Sequence, residues 1–152
     1  MSVINGWSSF RGEGLTYARV WADADLNNML NLYAMNDVTS SGYSGVLEVA
    51  CGGPENWADA AAGGFDATWR SQCQKMHSIF GNLKRLDIAM AHELQGTWYR
   101  WSVSAGEQAN FKIAWSRWWN IVQQELVTKG RKVKVVLCLN ADTVSDWTWT
   151  NG

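Results

Sequence analysis

The 152-residue chain is poor in the features that mark several functional classes. Thirteen basic and fourteen acidic residues leave a net charge of −1, so there is no electrostatic footprint for nucleic acid or for an anionic membrane. No stretch approaches the roughly 18 apolar residues of a membrane span. The N-terminal region has no basic segment leading into an apolar run, so no signal peptide is visible and the compartment stays undetermined. Two histidines, and three cysteines (Cys51, Cys73, Cys138) without close pairs, argue against a metal centre, and no cofactor is expected. The odd cysteine count predicts free thiols, with a single disulfide as the alternative.

What the chain does have is 47% hydrophobic residues, 18% charged residues and eleven tryptophans. That balance and length predict one globular domain able to bury a core. The tryptophans fit two readings equally: large packing units, or stacking surfaces of a carbohydrate cleft.

Four apolar segments read as strands: Thr16–Ala22, Val46–Cys51, Leu86–Ala91 and Lys132–Leu139. Helical spacing lies between them. Asp23–Met35 carries Leu26, Met29, Leu30 and Tyr33, with Asp25 as a plausible N-cap. Phe65–Phe80 carries Trp69, Cys73, Met76 and Phe80, and Gln108–Lys129 carries Phe111, Trp115, Trp118, Trp119, Val122 and Leu126 before a terminating Gly130. Alternating strands and helices predict a parallel sheet of right-handed βα units. Gly52-Gly53-Pro54 and Gly63-Gly64 are expected in long loops at the carboxyl ends of strands, where such folds place their binding surfaces.

The third strand runs directly into His92-Glu93-Leu94-Gln95-Gly96-Thr97-Trp98-Tyr99-Arg100-Trp101. A carboxyl group at a strand's carboxyl end, among aromatics, suits sugar chemistry, because aromatic faces cover pyranose C–H groups and a carboxyl can protonate a glycosidic oxygen. The bland alternative is a solvated glutamate beside packing tryptophans. This stretch resembles the strand-four signature of glycoside hydrolase family 26, the β-mannanases and related β-glycanases, in which His-Glu-Met-Asn-Gly-x-Trp-x-x-Trp is usual; here Leu94 and Gln95 replace Met and Asn. Phe111-Lys112-Ile113-Ala114-Trp115-Ser116-Arg117 is similar to the family's following helix, and Val135–Asn140 to its next strand. The specific part spans about residues 85–142.

The resemblance implies a partial (β/α)8 TIM barrel of about four βα units, one incomplete glycosidase-like barrel domain over residues 1–152, aligned with strands two to five. A whole barrel needs roughly 250 residues. The terminal Ser145–Gly152 reads as the loop after strand five, and open sheet edges would favour self-association. Glu93 would be the general acid/base of a retaining double displacement; His92, Trp98, Trp101 and Asn140 would bind a β-linked polysaccharide or oligosaccharide. Each has a structural alternative: a backbone-bonded histidine, loop-packing indoles, a turn-capping asparagine. His77 reads as a surface residue. Asp23 reads more simply as a helix cap, Glu48 as a lumen or ion-paired residue, and Glu55 as solvated. The family's nucleophile, a glutamate ending strand seven, has no counterpart here, so the chain is expected to carry half of the roughly 5–5.5 Å carboxyl pair that retention requires. The resemblance thus implies an inactive fragment of an endo-β-mannanase-like hydrolase of a family often secreted. The alternatives are a non-catalytic carbohydrate-binding or assembly protein, and a homodimer of half-barrels closing each other's edges.

Overall fold

A computed structural model describes residues 3–22, 38, 40–80 and 82–140. In chain order these form α1 (Val3–Arg11), β1 (Tyr17–Trp21), β2 (Val46–Ala50), α2 (Trp57–Ala62), α3 (Asp66–Ile79), β3 (Arg85–Ala89), α4 (Gln108–Val122) with a wide π turn at Gln123–Val127, and β4 (Val133–Val135). The four strands form one sheet in the order β1-β2-β3-β4, and every neighbouring pair is parallel. The fold is therefore mixed α/β around a parallel sheet. The expected Asp23–Met35 helix, with Asp23 and Asp25, and the terminal Ser145–Gly152 lie outside the described residues.

Strand periodicity separates two faces. The register aligns Ala18, Leu47, Leu86 and Val133 in one row and Val20, Val49, Ile88 and Val135 in another. Both rows join one core with Trp69, Cys73 and Met76 of α3 and Trp118 and Val122 of α4, so the helical stripes legible in the sequence are the sides that meet the sheet. Burying each large apolar side chain contributes about 1.5–3 kcal/mol.

Between these rows, on the opposite face, Arg19, Glu48, Asp87 and Lys134 fall in register. A buried carboxylate is costly unless paired, and both are paired. Arg19 and the Tyr17 hydroxyl donate to Glu48 Oε2, the guanidinium at 2.9 Å. Arg85 grips Asp87 with two bonds of 2.5 and 2.8 Å. Glu48 is thus ion-paired, one of the two roles expected for it.

Several boundaries differ from the sequence-based expectation. Residues 57–62, expected in a long loop, form α2: Asn56 Oδ1 accepts the Asp59 amide at 3.0 Å, and Gly63 at φ 103° closes the C-terminus. Six residues are too few to display a helical stripe, and α1 escaped notice as well. Asp66, the first residue of α3, takes two hydrogen bonds from Arg117 of α4 at 2.6 and 3.1 Å. The long helix loses α geometry after Val122, and its π turn brings Glu125 inward to Lys129 (2.5 Å), Arg70 (2.5 Å) and Gln74 (3.3 Å). Gly130, at φ 85°, ends it as expected. β4 stops well short of Leu139 because its partner ends at Ala89; the last ladder bond runs from the Val136 amide to the Ile88 carbonyl at 2.8 Å. His77 is half-buried, not a free surface residue: Arg131 donates to its Nδ1 at 3.3 Å and to its carbonyl at 2.7 Å.

Cys51, Cys73 and Cys138 are unbridged. Burial pushes the Cys51 thiol well up and the Cys73 thiol to about 12, so neither ionises near neutrality. Among the described residues no helix is long and apolar enough to cross a membrane.

Candidate functional site

The chain leaves β3 through the buried Met90 and Ala91 and turns sharply at Glu93, whose φ of 49° is the only positive value at a non-glycine position among the described residues. A left-handed residue with a side chain costs of order 1 kcal/mol or more. Local bonds hold it: the Gly96 amide donates to the Glu93 carbonyl at 2.8 Å, and the Val103 amide donates to the Leu94 carbonyl at 2.8 Å. The side chains of His92 and Glu93 lie in different surroundings, as strand alternation would place them. That of His92 goes inward, 1% exposed, while Glu93 stays half-exposed.

Glu93 has an aromatic partner. Trp98 Nε1 donates to Glu93 Oε2 at 2.9 Å, and the indole is 55% exposed. Gly96 makes this possible, since a Cβ there would lie 2.6 Å from the Trp98 ring carbons. The Gly-x-Trp spacing thus sets the indole across its own backbone, with N–H toward the carboxylate and ring toward solvent. The other Glu93 oxygen has no hydrogen bond among the described residues. A carboxyl so held can present that oxygen to a ligand hydroxyl or a leaving oxygen.

His92 is caged. Its ring stacks on Trp21 (5.5 Å between centroids, 13°) and meets the edges of Tyr99 (4.5 Å, 81°) and Trp101 (5.1 Å, 74°). Trp101 lies flat on Tyr99 at 4.6 Å and donates Nε1 to the His92 carbonyl at 2.9 Å. At 0% exposure Trp101 presents no face to a sugar. Among the two readings open for it, packing of the loop is the one its position allows. Gly53, after β2, sits where a Cβ would approach Trp101 Cβ to 2.6 Å, locking this loop against its neighbour.

Asn140 lies five residues beyond the end of β4. Its backbone carbonyl accepts Gln95 Nε2 at 2.6 Å, so it adjoins the β3 loop through its main chain. Glu55, expected solvated, is exposed but ion-paired with Arg100.

Trp21 was missing from the sequence-derived site. It ends β1, is 43% exposed, covers His92 and carries the Arg19 guanidinium 5.3 Å from its ring centroid. One signal was available: Tyr17, Arg19 and Trp21 alternate on one side of a strand whose intervening Ala18 and Val20 are apolar. Pairing with His92, 71 positions away, is a tertiary matter. The described residues thus assemble a half-exposed carboxyl flanked by an exposed indole, with a second exposed indole over a caged imidazole. No protein-family model matches the chain, and a search of curated proteins finds no significant match.

Proposed function

We propose that this chain carries the acid/base side of a retaining β-glycanase site, with Glu93 as proton donor and Trp98 as the platform beneath a β-linked sugar. The observation that carries the reading is the Trp98–Glu93 hydrogen bond at the carboxyl end of an interior parallel strand, where α/β sheets and barrels place their chemistry. A sugar on the exposed indole would have its glycosidic oxygen near a carboxyl. The unbroken strand order agrees with a portion of a (β/α)8 barrel, and the motif around Glu93 resembles glycoside hydrolase family 26. In that reading His92 holds the floor of the site, and Trp101 acts by positioning His92 and Tyr99.

Retention needs a second carboxylate about 5–5.5 Å away. Glu48 and Asp87, the buried acids of the sheet's polar face, are committed to ion pairs with Arg19 and Arg85. That observation favours a second reading: a carbohydrate-binding protein that uses the same aromatic surface without turnover.

Affinity electrophoresis through β-mannan and β-glucan, with hydrolysis assays on the same glycans, tests both. Retardation that disappears in Trp98→Ala supports a saccharide site. Absence of turnover then assigns the chain to the half-site or binding reading, whereas turnover abolished by Glu93→Ala shows that a complete catalytic pair is present. Migration unaffected by every glycan, with no hydrolysis, sinks the proposal.

A further inference from the structure

A cleft of about 420 Å³ opens between the Gly52-Gly53 turn after β2, α2, the start of α3 and Arg100 of the β3 loop. That size falls within the roughly 300–1,000 Å³ of small-molecule sites. Its lining mixes hydrogen-bonding types. Glu55 and Asp59 bring carboxylate acceptors. Asn56 has its Oδ1 engaged in capping α2, which leaves its amide N–H groups as donors. Gln72 contributes a carboxamide that is almost wholly buried, and Thr68 a hydroxyl. Phe65, tilted against Trp69 at 5.7 Å, forms an apolar wall.

The charge balance narrows the ligand. Two carboxylates against one guanidinium disfavour phosphorylated or acidic ligands. Among the described residues no group of three or more His, Cys, Asp or Glu could hold a metal ion. Donors and acceptors in similar number beside one aromatic wall fit a neutral, hydroxyl-rich molecule, whose hydroxyls both give and take hydrogen bonds. The cleft also shares a loop with Glu93: Arg100 lies between Tyr99 and Trp101, and its ion pair with Glu55 ties that loop to the β2 turn.

We propose that this cleft is a second saccharide-binding position, taking one or two neutral hexose units of a glycan that extends from Glu93. The sugar class follows from the cleft's own chemistry, while the continuity with Glu93 rests on the function proposed above.

Titration calorimetry of the intact chain with β-1,4-mannotetraose and cellotetraose tests it, using Asp59→Asn, Arg100→Ala and Trp98→Ala. Asp59 caps no helix with its side chain, so Asp59→Asn keeps the fold, and an unchanged thermal midpoint checks this. The expected result is that Asp59→Asn and Arg100→Ala each weaken tetraose binding by about tenfold, the loss of one charge-assisted hydrogen bond. If Trp98→Ala weakens binding as well, the two positions act on one glycan. If Trp98→Ala has no effect while the cleft variants do, the cleft stands and the reading of Glu93 falls. Binding that depends on Trp98 and ignores both cleft substitutions overturns the inference alone. No binding of either tetraose to the wild-type chain overturns both.

Discussion

On one face of the sheet Leu47, Val49, Leu86 and Ile88 pack against α3 and α4; on the other, at the positions between them, Glu48 and Asp87 are held by arginines of their own face. The strands are the same and the spacing is two residues, yet the faces solve different problems. The apolar face is stabilised by area and shape, which many residues share. The polar face is stabilised by individual partners, and near its upper end it meets the aromatic cage around His92 through Trp21. The contrast is a division of labour, with apolar area on the helix side and individually paired charges on the other.

Substitutions can break that division, and the largest effect belongs to the apolar face. Leu47→Ala, at a fully buried central position, should cost about 3 kcal/mol by lost transfer energy and cavity formation, read as a lower midpoint in urea unfolding. On the polar face, Arg19→Met should cost about 1.5–2 kcal/mol, because it leaves the Glu48 carboxylate, 3% exposed, with Tyr17 as its one remaining hydrogen-bond partner among the described residues. A cost as large as that of Leu47→Ala would show that the polar face carries cohesion too. A double-mutant cycle with Glu48→Gln isolates the pair.

A smaller effect depends on pH. Lys129, helped by Arg70 and Gln74 and opposed by burial, holds Glu125 at about 2 against an ordinary 4.5. A lowered folded value means that the ionised carboxylate stabilises the fold above about pH 4.5 and that this contribution fades as pH falls toward 2. Glu125→Gln should therefore cost about 1.5 kcal/mol at pH 7 and progressively less in acid, seen as converging thermal midpoints of the two proteins. Parallel curves would remove Glu125 from the acid response.

The smallest effect has the opposite sign. Glu93→Gly replaces a side chain at φ 49° with a residue that takes this conformation freely, and should stabilise the chain by about 0.5 kcal/mol once the lost Trp98 bond is counted. A destabilised Glu93→Gly would mean that the carboxylate–indole contact supports the fold, placing a residue of the candidate site among those that hold the molecule together. Strain retained at a removable side chain is the pattern of functional sites.

Much of this was legible along the chain. The strand positions Leu47, Leu86 and Val133 and the stripes Trp69-Cys73-Met76 and Trp118-Val122 are local periodicities, and the same residues pack together in the core. The short helix α2 was not legible, because its Asn56 cap and Gly63 stop enclose too few residues for a period to emerge. Nor was the early end of β4, since strand length depends on how long a neighbour continues beside it. Within the site, Glu93 and Trp98 lie five residues apart, so their motif could be read as a unit, and Gly96 between them is the reason they touch. Trp101 belongs to the same motif, yet it packs inward against Tyr99 and Gly53, a contact that spacing alone does not specify.

The amino-acid order by itself determined the alternation of strands and helices, the faces that would be apolar, and the glycine that lets an indole reach its own carboxylate, because each depends on residues within a few positions of one another. Only the tertiary structure decided that Trp21 covers His92, that Arg19 pairs with Glu48, and that Arg100 meets Glu55 beside a polar cleft. Those contacts join segments tens of residues apart, and only the register of the parallel sheet and the packing of its loops bring them within reach.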